Sequence, residues 1–128
     1  MDLTFIHGRL ATTSAFFFFV LSIWAFIRYF RKQGPDSSYW GALVIGEILI
    51  VAQALIGAYL WFSGARPPRD MHILYGILLP AIIPAIYANT KGSGERRSNL
   101  IYGAVILFAV GLIIRAISTG LDPLPVLN

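Results

Sequence analysis

The chain has 128 residues and a net charge of +4, with 57% hydrophobic and only 12% charged residues. In soluble domains roughly a quarter of the residues are charged. This composition therefore excludes a soluble globular protein and predicts an integral membrane protein. The absence of cysteine excludes disulfides, iron–sulfur clusters and covalently attached c-type haem.

Four apolar runs follow one another along the chain, and each is long enough for an α-helix to cross a hydrocarbon core of about 30 Å. They cover residues 3–30, 39–62, 71–88 and 100–118. The three connections are short and contain glycine or proline, so consecutive helices are expected to be antiparallel. The sequence therefore predicts one all-α domain over residues 1–128, a four-transmembrane-helix up-down-up-down bundle in the lipid bilayer.

The three connections differ in their content of lysine and arginine. The first and third carry Arg28, Arg31, Lys32 and Lys91, Arg96, Arg97, whereas the second carries only Arg66 and Arg69. The positive-inside rule then places the first and third connections in the cytoplasm and both termini outside. This is the pattern expected for a bacterial inner membrane protein. The basic residues anchor the helices to headgroups and do not indicate a nucleic acid partner.

Histidine occurs only twice, at the start of the first apolar run (His7) and of the third (His72). Because alternate helices of such a bundle run parallel, both imidazoles are expected at one depth near the outer face. Two neutral imidazoles are typical axial ligands of a low-spin b-type haem. Small residues one turn deeper, Ala11 and Gly76, would let a flat macrocycle lie against the backbone. The leading interpretation is one haem b between the two histidines.

Four arginines are predicted near the same membrane surface as the histidines, namely Arg9, Arg66, Arg69 and Arg115. The planar guanidinium suits carboxylates, and haem carries two propionates, so these residues are candidate propionate ligands. Arg115 lies inside the fourth run, where a cation needs an anionic partner or a route to the headgroups. Snorkelling to lipid phosphates is the alternative explanation of Arg115.

Two larger polar side chains, Glu47 and Gln53, lie well inside the second run. Glu47 could relay protons or bind a quinone headgroup, or its neutral carboxyl could bond a neighbouring helix. Gln53 is more typical of a link between helices. In the third run, Pro80 and Pro84 remove backbone hydrogen bonds, and the resulting bend could widen a cavity beneath the haem.

The segment from Phe5 to Ala11, with His7 and Arg9, together with the Met71-His72 pair, resembles one four-helix half of the haem A synthase family. In that family haem lies between histidines of alternate helices near the outer face. The family has arginine directly after histidine, whereas Gly8 intervenes here, and its upstream glutamate and the cysteine pair of many members are missing. The resemblance therefore implies b-type haem binding in a membrane bundle rather than haem A synthesis.

These observations lead to three hypotheses of different class. The first is a small b-type cytochrome-like subunit that passes electrons to or from quinone or a larger membrane complex. The second is an accessory subunit of a respiratory or photosynthetic complex, either without a redox role or with each histidine bound to chlorophyll or bacteriochlorophyll. The third is a metal-handling protein that gathers Asp2, His7, Asp70 and His72 around zinc or copper.

Overall fold

The computed structural model describes residues 3–67 and 69–120, and this part of the chain folds into four α-helices without any strand. Helix α1 spans Leu3–Phe30, α2 spans Ser37–Phe62, α3 spans Met71–Thr90 and α4 spans Arg96–Gly120. All four are long and apolar enough to cross a membrane. The predicted class, an all-α membrane protein built as a four-helix bundle, is confirmed.

The helices form a closed square in which each packs against its two neighbours in the chain, with α4 returning to α1. The contact between α1 and α4 is the most extensive, and that between α2 and α3 is the least. Helices α1 and α3 lie diagonally opposite, and none of their described Cα atoms come within 8 Å. Any direct contact between α1 and α3 must therefore be made by side chains across the centre of the bundle.

The first and third connections pack together at one end of the bundle. Gly34 lies so close to Gly94 that a Cβ at Gly34 would overlap the Gly94 carbonyl oxygen. The Asn99 side chain of α4 also donates to the Gln33 carbonyl oxygen at 2.9 Å. The starts of α1 and α3 therefore share the opposite end, as expected for an up-down-up-down arrangement; we call this the histidine end.

The helices extend further than the apolar runs predict. Helix α2 begins at Ser37, where the Asp36 carboxylate caps it by accepting from the Tyr39 backbone N–H at 2.9 Å. Helix α3 continues to Thr90, and α4 begins at Arg96, four residues before the predicted Leu100. Hydropathy marks only the part of a helix that crosses hydrocarbon, whereas polar residues prolong the helix into the headgroup layer.

Helix α1 is fixed to its neighbours by buried polar groups in the half of the bundle away from the histidines. The Ser22 hydroxyl donates to the Gly103 carbonyl oxygen of α4 at 2.7 Å. The Tyr39 phenol of α2 donates to the Leu21 carbonyl oxygen at 3.0 Å. Since buried hydrogen bonds in a membrane have no water to replace them, these bonds fix the register of α1.

Candidate functional site

The histidine end of the bundle brings together the two histidines of the chain. Their imidazole rings meet edge to face, with centroids 5.9 Å apart and planes inclined at 74°. His7 belongs to the second turn of α1, and His72 to the first turn of α3. The contact therefore crosses the diagonal of the bundle. It agrees with the expectation that both imidazoles lie at one depth.

The His72 ring is held in place by α4. Its Nδ1 lies 2.7 Å from the Ala116 carbonyl oxygen. Because a carbonyl oxygen can only accept, Nδ1 carries the hydrogen and Nε2 keeps its lone pair. A Cβ on Gly120 would lie 2.7 Å from the His72 Cε1, so the ring needs a glycine there. An imidazole that donates through one nitrogen to a carbonyl is oriented to bind a metal through the other.

The His7 ring is packed against α2. The Gln53 side-chain amide donates to the His7 backbone carbonyl oxygen at 2.7 Å, so the predicted link between helices at Gln53 is present. A Cβ on Gly57 would lie 3.1 Å from the His7 Cε1, which is close for any carbon. The His7 Nδ1 is buried and has no hydrogen-bond partner among the described residues. A buried nitrogen without a partner is costly unless a ligand uses it.

A cavity of about 540 Å³ opens beside both rings, and its walls come from all four helices. His7 and His72 line it, with Gly76 and Pro80 of α3 on the side away from α1. A Cβ on Gly76 would meet no atom within 4 Å, so there is open space beside this residue. Cavities of about 300–1,000 Å³ hold organic ligands and cofactors, and this one falls inside that range.

Helix α3 passes both of its prolines without a break. Pro80 has no N–H, so the Gly76 carbonyl oxygen loses its usual partner one turn later. Both residues line the cavity, which puts that carbonyl beside the open space. Pro84 instead lines a second cavity, in the other half of the bundle.

Four described arginines are predicted to bind a propionate. Of these, Arg66 alone lines the cavity beside the histidines. Its guanidinium lies over the Trp61 ring, 3.9 Å from the ring centroid, and donates to the Trp61 carbonyl oxygen at the end of α2. The planar guanidinium group carries five N–H donors, so these contacts leave other donors free. The side chain is exposed and stands at the mouth of the cavity.

The other predicted arginines and Ala11 do not line the cavity. Arg9 is exposed, with its guanidinium 5.8 Å from the centroid of the Phe5 ring. Arg69 is half-buried, just before α3. Arg115 lies one residue before the carbonyl that binds His72, but its side chain is exposed. A propionate role for these three residues stays a prediction.

The metal-handling alternative needs a cluster of ligands, and the described part of the chain contains none. Within residues 3–67 and 69–120, no group of three or more histidine, cysteine, aspartate or glutamate side chains lies close enough to hold a metal ion. Asp70 is exposed, just before α3. Asp2 lies outside the described residues, so the predicted set of four ligands stays untested.

Two neighbours of the histidine rings could not be assigned from sequence, the Ala116 carbonyl and Gly120. The type of a residue does not show what its backbone carbonyl binds. In the sequence, Gly120 indicates only the end of an apolar run. Gly57 is visible in the sequence only as one of several small residues of the second run. The contact of all three residues with the rings depends on how α2 and α4 are placed against α1 and α3.

Fold and site together define a four-helix integral membrane protein whose diagonal helices meet through a histidine pair beside a mostly apolar cavity. In comparisons with known proteins, no protein family, curated protein or solved structure matches the chain.

Proposed function

We propose that the chain is a small b-type cytochrome-like membrane subunit that holds one haem b between His7 and His72. In this role it passes electrons to or from quinone or a larger membrane complex. The observation that carries the proposal is the meeting of the chain's two imidazoles across the bundle diagonal, beside a cavity. Two residues that are distant in sequence come together beside a space that could hold a planar cofactor.

The pair brings two potential metal ligands close together, with ring centroids 5.9 Å apart. To hold one metal atom, both rings would have to turn from their edge-to-face contact, since each must direct a ring nitrogen at the metal.

The nitrogens of the pair also fit a ligand. His72 donates through Nδ1 to the Ala116 carbonyl oxygen, which leaves Nε2 as the nitrogen for iron. His7 has a buried ring nitrogen that no described residue satisfies. Gly57 and Gly120 let both rings approach their neighbouring helices closely, and Gly76 leaves open space one turn below His72.

Haem b would supply one-electron chemistry, and two histidine ligands would leave it no open position for oxygen or substrate. The chain's own residues would bind and orient the group. His7 and His72 ligate it, the apolar cavity walls exclude water, and Arg66 at the mouth offers donors to a propionate. Arg9, Arg69 and Arg115 remain candidates for the same task from outside the cavity.

The loop charges support placing the histidine end outside the cytoplasm of a bacterium, with both termini on the outer side of the inner membrane. Many large apolar side chains face outward from the helices, among them Phe16 and Phe108, and they suit lipid or another membrane subunit equally. An electron-transfer subunit of this size would work beside the protein that supplies or takes its electrons.

The pigment alternative places a separate chlorophyll or bacteriochlorophyll on each histidine. Both histidines line the same cavity of about 540 Å³, which favours one shared ligand over two separate pigments. The accessory and metal-handling alternatives predict no cofactor spectrum of this kind, so spectroscopy separates them.

The test is the reduced-minus-oxidised absorption spectrum of the full chain, purified in mild detergent and again after titration with hemin. We expect a sharp α band of low-spin haem b with one haem per chain. A red or near-infrared pigment band would replace the haem proposal with the pigment alternative. A colourless protein that also fails to bind added hemin stoichiometrically would overturn the proposal.

A further inference from the structure

A second cavity, of about 560 Å³, lies between α2 and α3 in the half of the bundle away from the histidines. Its walls include the exposed side chains of Val44, Ile48 and Pro84, so it opens sideways on the membrane-facing surface. This is where the packing of neighbouring helices is least extensive. A molecule dissolved in the bilayer could enter there without crossing water.

Two buried polar atoms in this mostly apolar space have no hydrogen-bond partner among the described residues. Tyr102 is completely buried, and its phenol oxygen makes no hydrogen bond in the described part of the chain. The Thr90 hydroxyl lies near that phenol as a potential acceptor, and it donates its own hydrogen to the Ile86 carbonyl oxygen at 2.8 Å. Glu47 Oε1 is likewise buried without a partner. Both residues line the cavity, so an incoming ligand could satisfy them together.

Aromatic rings form the inner wall of the same cavity. Trp40 lies between Tyr87 and Tyr102 in edge-to-face contacts, with centroid distances of 5.6 Å and 5.9 Å. All three rings line the cavity. Aromatic walls favour a planar ring as ligand, because offset-stacked and edge-to-face contacts add to simple apolar burial.

We propose that this cavity binds the headgroup of a membrane quinone, with Tyr102 and Glu47 as hydrogen-bond donors to its carbonyl oxygens. The phenol donates to one oxygen, and Glu47 in its neutral form donates to another. The isoprenoid tail leaves through the opening beside Val44 and Ile48 into lipid. An acyl chain of a phospholipid would fill the space but leave both polar atoms unsatisfied.

As an assignment of the electron partner, this inference rests on the proposed function, whereas quinone binding itself does not need haem. Glu47 precedes Gly57, the residue against His7, by ten positions in α2. At a rise of about 1.5 Å per residue, this places Glu47 roughly 15 Å from Gly57 along the helix axis. One bundle would then hold a redox centre at one end and its lipid-soluble partner nearer the other.

The test is the binding of decylubiquinone to the full chain in phospholipid nanodiscs, followed by quenching of tryptophan fluorescence. Tyr102→Phe and Glu47→Leu each remove a donor and should fold normally, because neither removed group makes a hydrogen bond within the described part of the chain. We expect each to weaken binding by about three- to tenfold. Glu47→Gln keeps an N–H donor and should bind nearly as wild type.

Matched controls use residues of the same type outside the cavity. Tyr59→Phe and Glu95→Leu change exposed side chains and should leave quinone binding unchanged. Decylbenzene, which has a ring and a tail but no carbonyl oxygen, should bind more weakly than the quinone to wild type and equally to all variants.

Three results would overturn the inference. They are no saturable quinone binding, equal binding by wild type and both donor-deleted variants, or decylbenzene binding as tight as that of the quinone. The last would mean that any apolar molecule, lipid included, occupies the cavity. The absorption spectrum of the same sample reports on haem separately. Quinone binding without haem binding would overturn only the proposed function. Haem binding without quinone binding would overturn only this inference.

Discussion

The imidazoles of His7 and His72 touch across the bundle although the backbones of their helices, α1 and α3, do not approach each other. The contact depends on glycines of the other two helices, Gly57 beside one ring and Gly120 beside the other. Each ring is thus seated against a neighbouring helix and directed to the bundle centre. The proposed ligation follows from this arrangement, and so do most of the predictions below.

Gly120→Ala should displace the His72 ring, because the added Cβ would lie 2.7 Å from its Cε1. The shift lengthens the hydrogen bond from Nδ1 to Ala116 and misdirects the opposite nitrogen. We expect haem retention to fall by about two- to tenfold, as loss of a net 0.5–1.5 kcal/mol implies. The measurement is hemin titration followed by the Soret absorbance. Gly111→Ala in the same helix, where a Cβ meets no atom within 4 Å, is the control and should retain haem; equal retention by both variants would contradict the role of Gly120.

Arg66→Leu should weaken haem retention more than Arg115→Leu, because Arg66 lines the cavity and Arg115 does not. A charge-assisted hydrogen bond is worth about 1.5–3 kcal/mol, which corresponds to roughly ten- to hundredfold in retention. The midpoint potential should also fall, since a nearby cation favours the reduced haem. Arg66→Lys should be intermediate, because it keeps the charge and loses the planar fork. Redox titration and hemin binding measure both effects, and a larger loss at Arg115 would instead place the propionates beside α4.

Single cysteines should report the orientation of the bundle without background, because the chain has no cysteine of its own. The first and third connections meet at one end, so Ser38→Cys and Glu95→Cys should be labelled from the same side. The loop charges make that side the cytoplasm. Ser63→Cys, exposed after α2, should be labelled from outside. A membrane-impermeant maleimide applied to intact cells and to inverted vesicles decides this, and labelling of Ser38→Cys in intact cells would invert the topology.

Gly34→Ala should destabilise the bundle, because its Cβ would overlap the Gly94 carbonyl oxygen and force the two connections apart. Overpacking of this kind costs about 1–3 kcal/mol. Gly41→Ala, in an exposed position of α2 with no atom within 4 Å of the added Cβ, is the matched control. It should stabilise the helix slightly, by about 0.5–1 kcal/mol. Unfolding in mixed micelles with increasing sodium dodecyl sulfate gives both free energies, and equal stability of the two variants would argue against the loop contact.

Much of the fold could be predicted from sequence because membrane insertion imposes a simple rule, a run of about 20 apolar residues for each span. The ends of the helices could not be predicted in the same way. Asn99 lies in a polar stretch that hydropathy excludes, yet it is buried and bonded to the Gln33 carbonyl oxygen. Helix geometry extends past the hydrocarbon boundary wherever capping and loop contacts satisfy the backbone.

The site was predictable only in part, for a related reason. Helix parity places His7 and His72 at one end, but it says nothing about which face of each helix turns inward. That depends on packing, and packing places Gly57, Gly120 and the Ala116 carbonyl around the rings. Ala11, chosen as the small residue beneath His7, does not line the cavity, whereas Gly76 beneath His72 does.

The central claim is most directly tested by the low-spin haem signal of the single variants His7→Ala and His72→Ala, measured by electron paramagnetic resonance of the oxidised protein at matched haem loading. If both residues ligate the iron, each substitution removes an axial ligand, and the low-spin signal of the wild type should disappear, leaving high-spin haem or none. An unchanged low-spin signal in either variant would contradict the account.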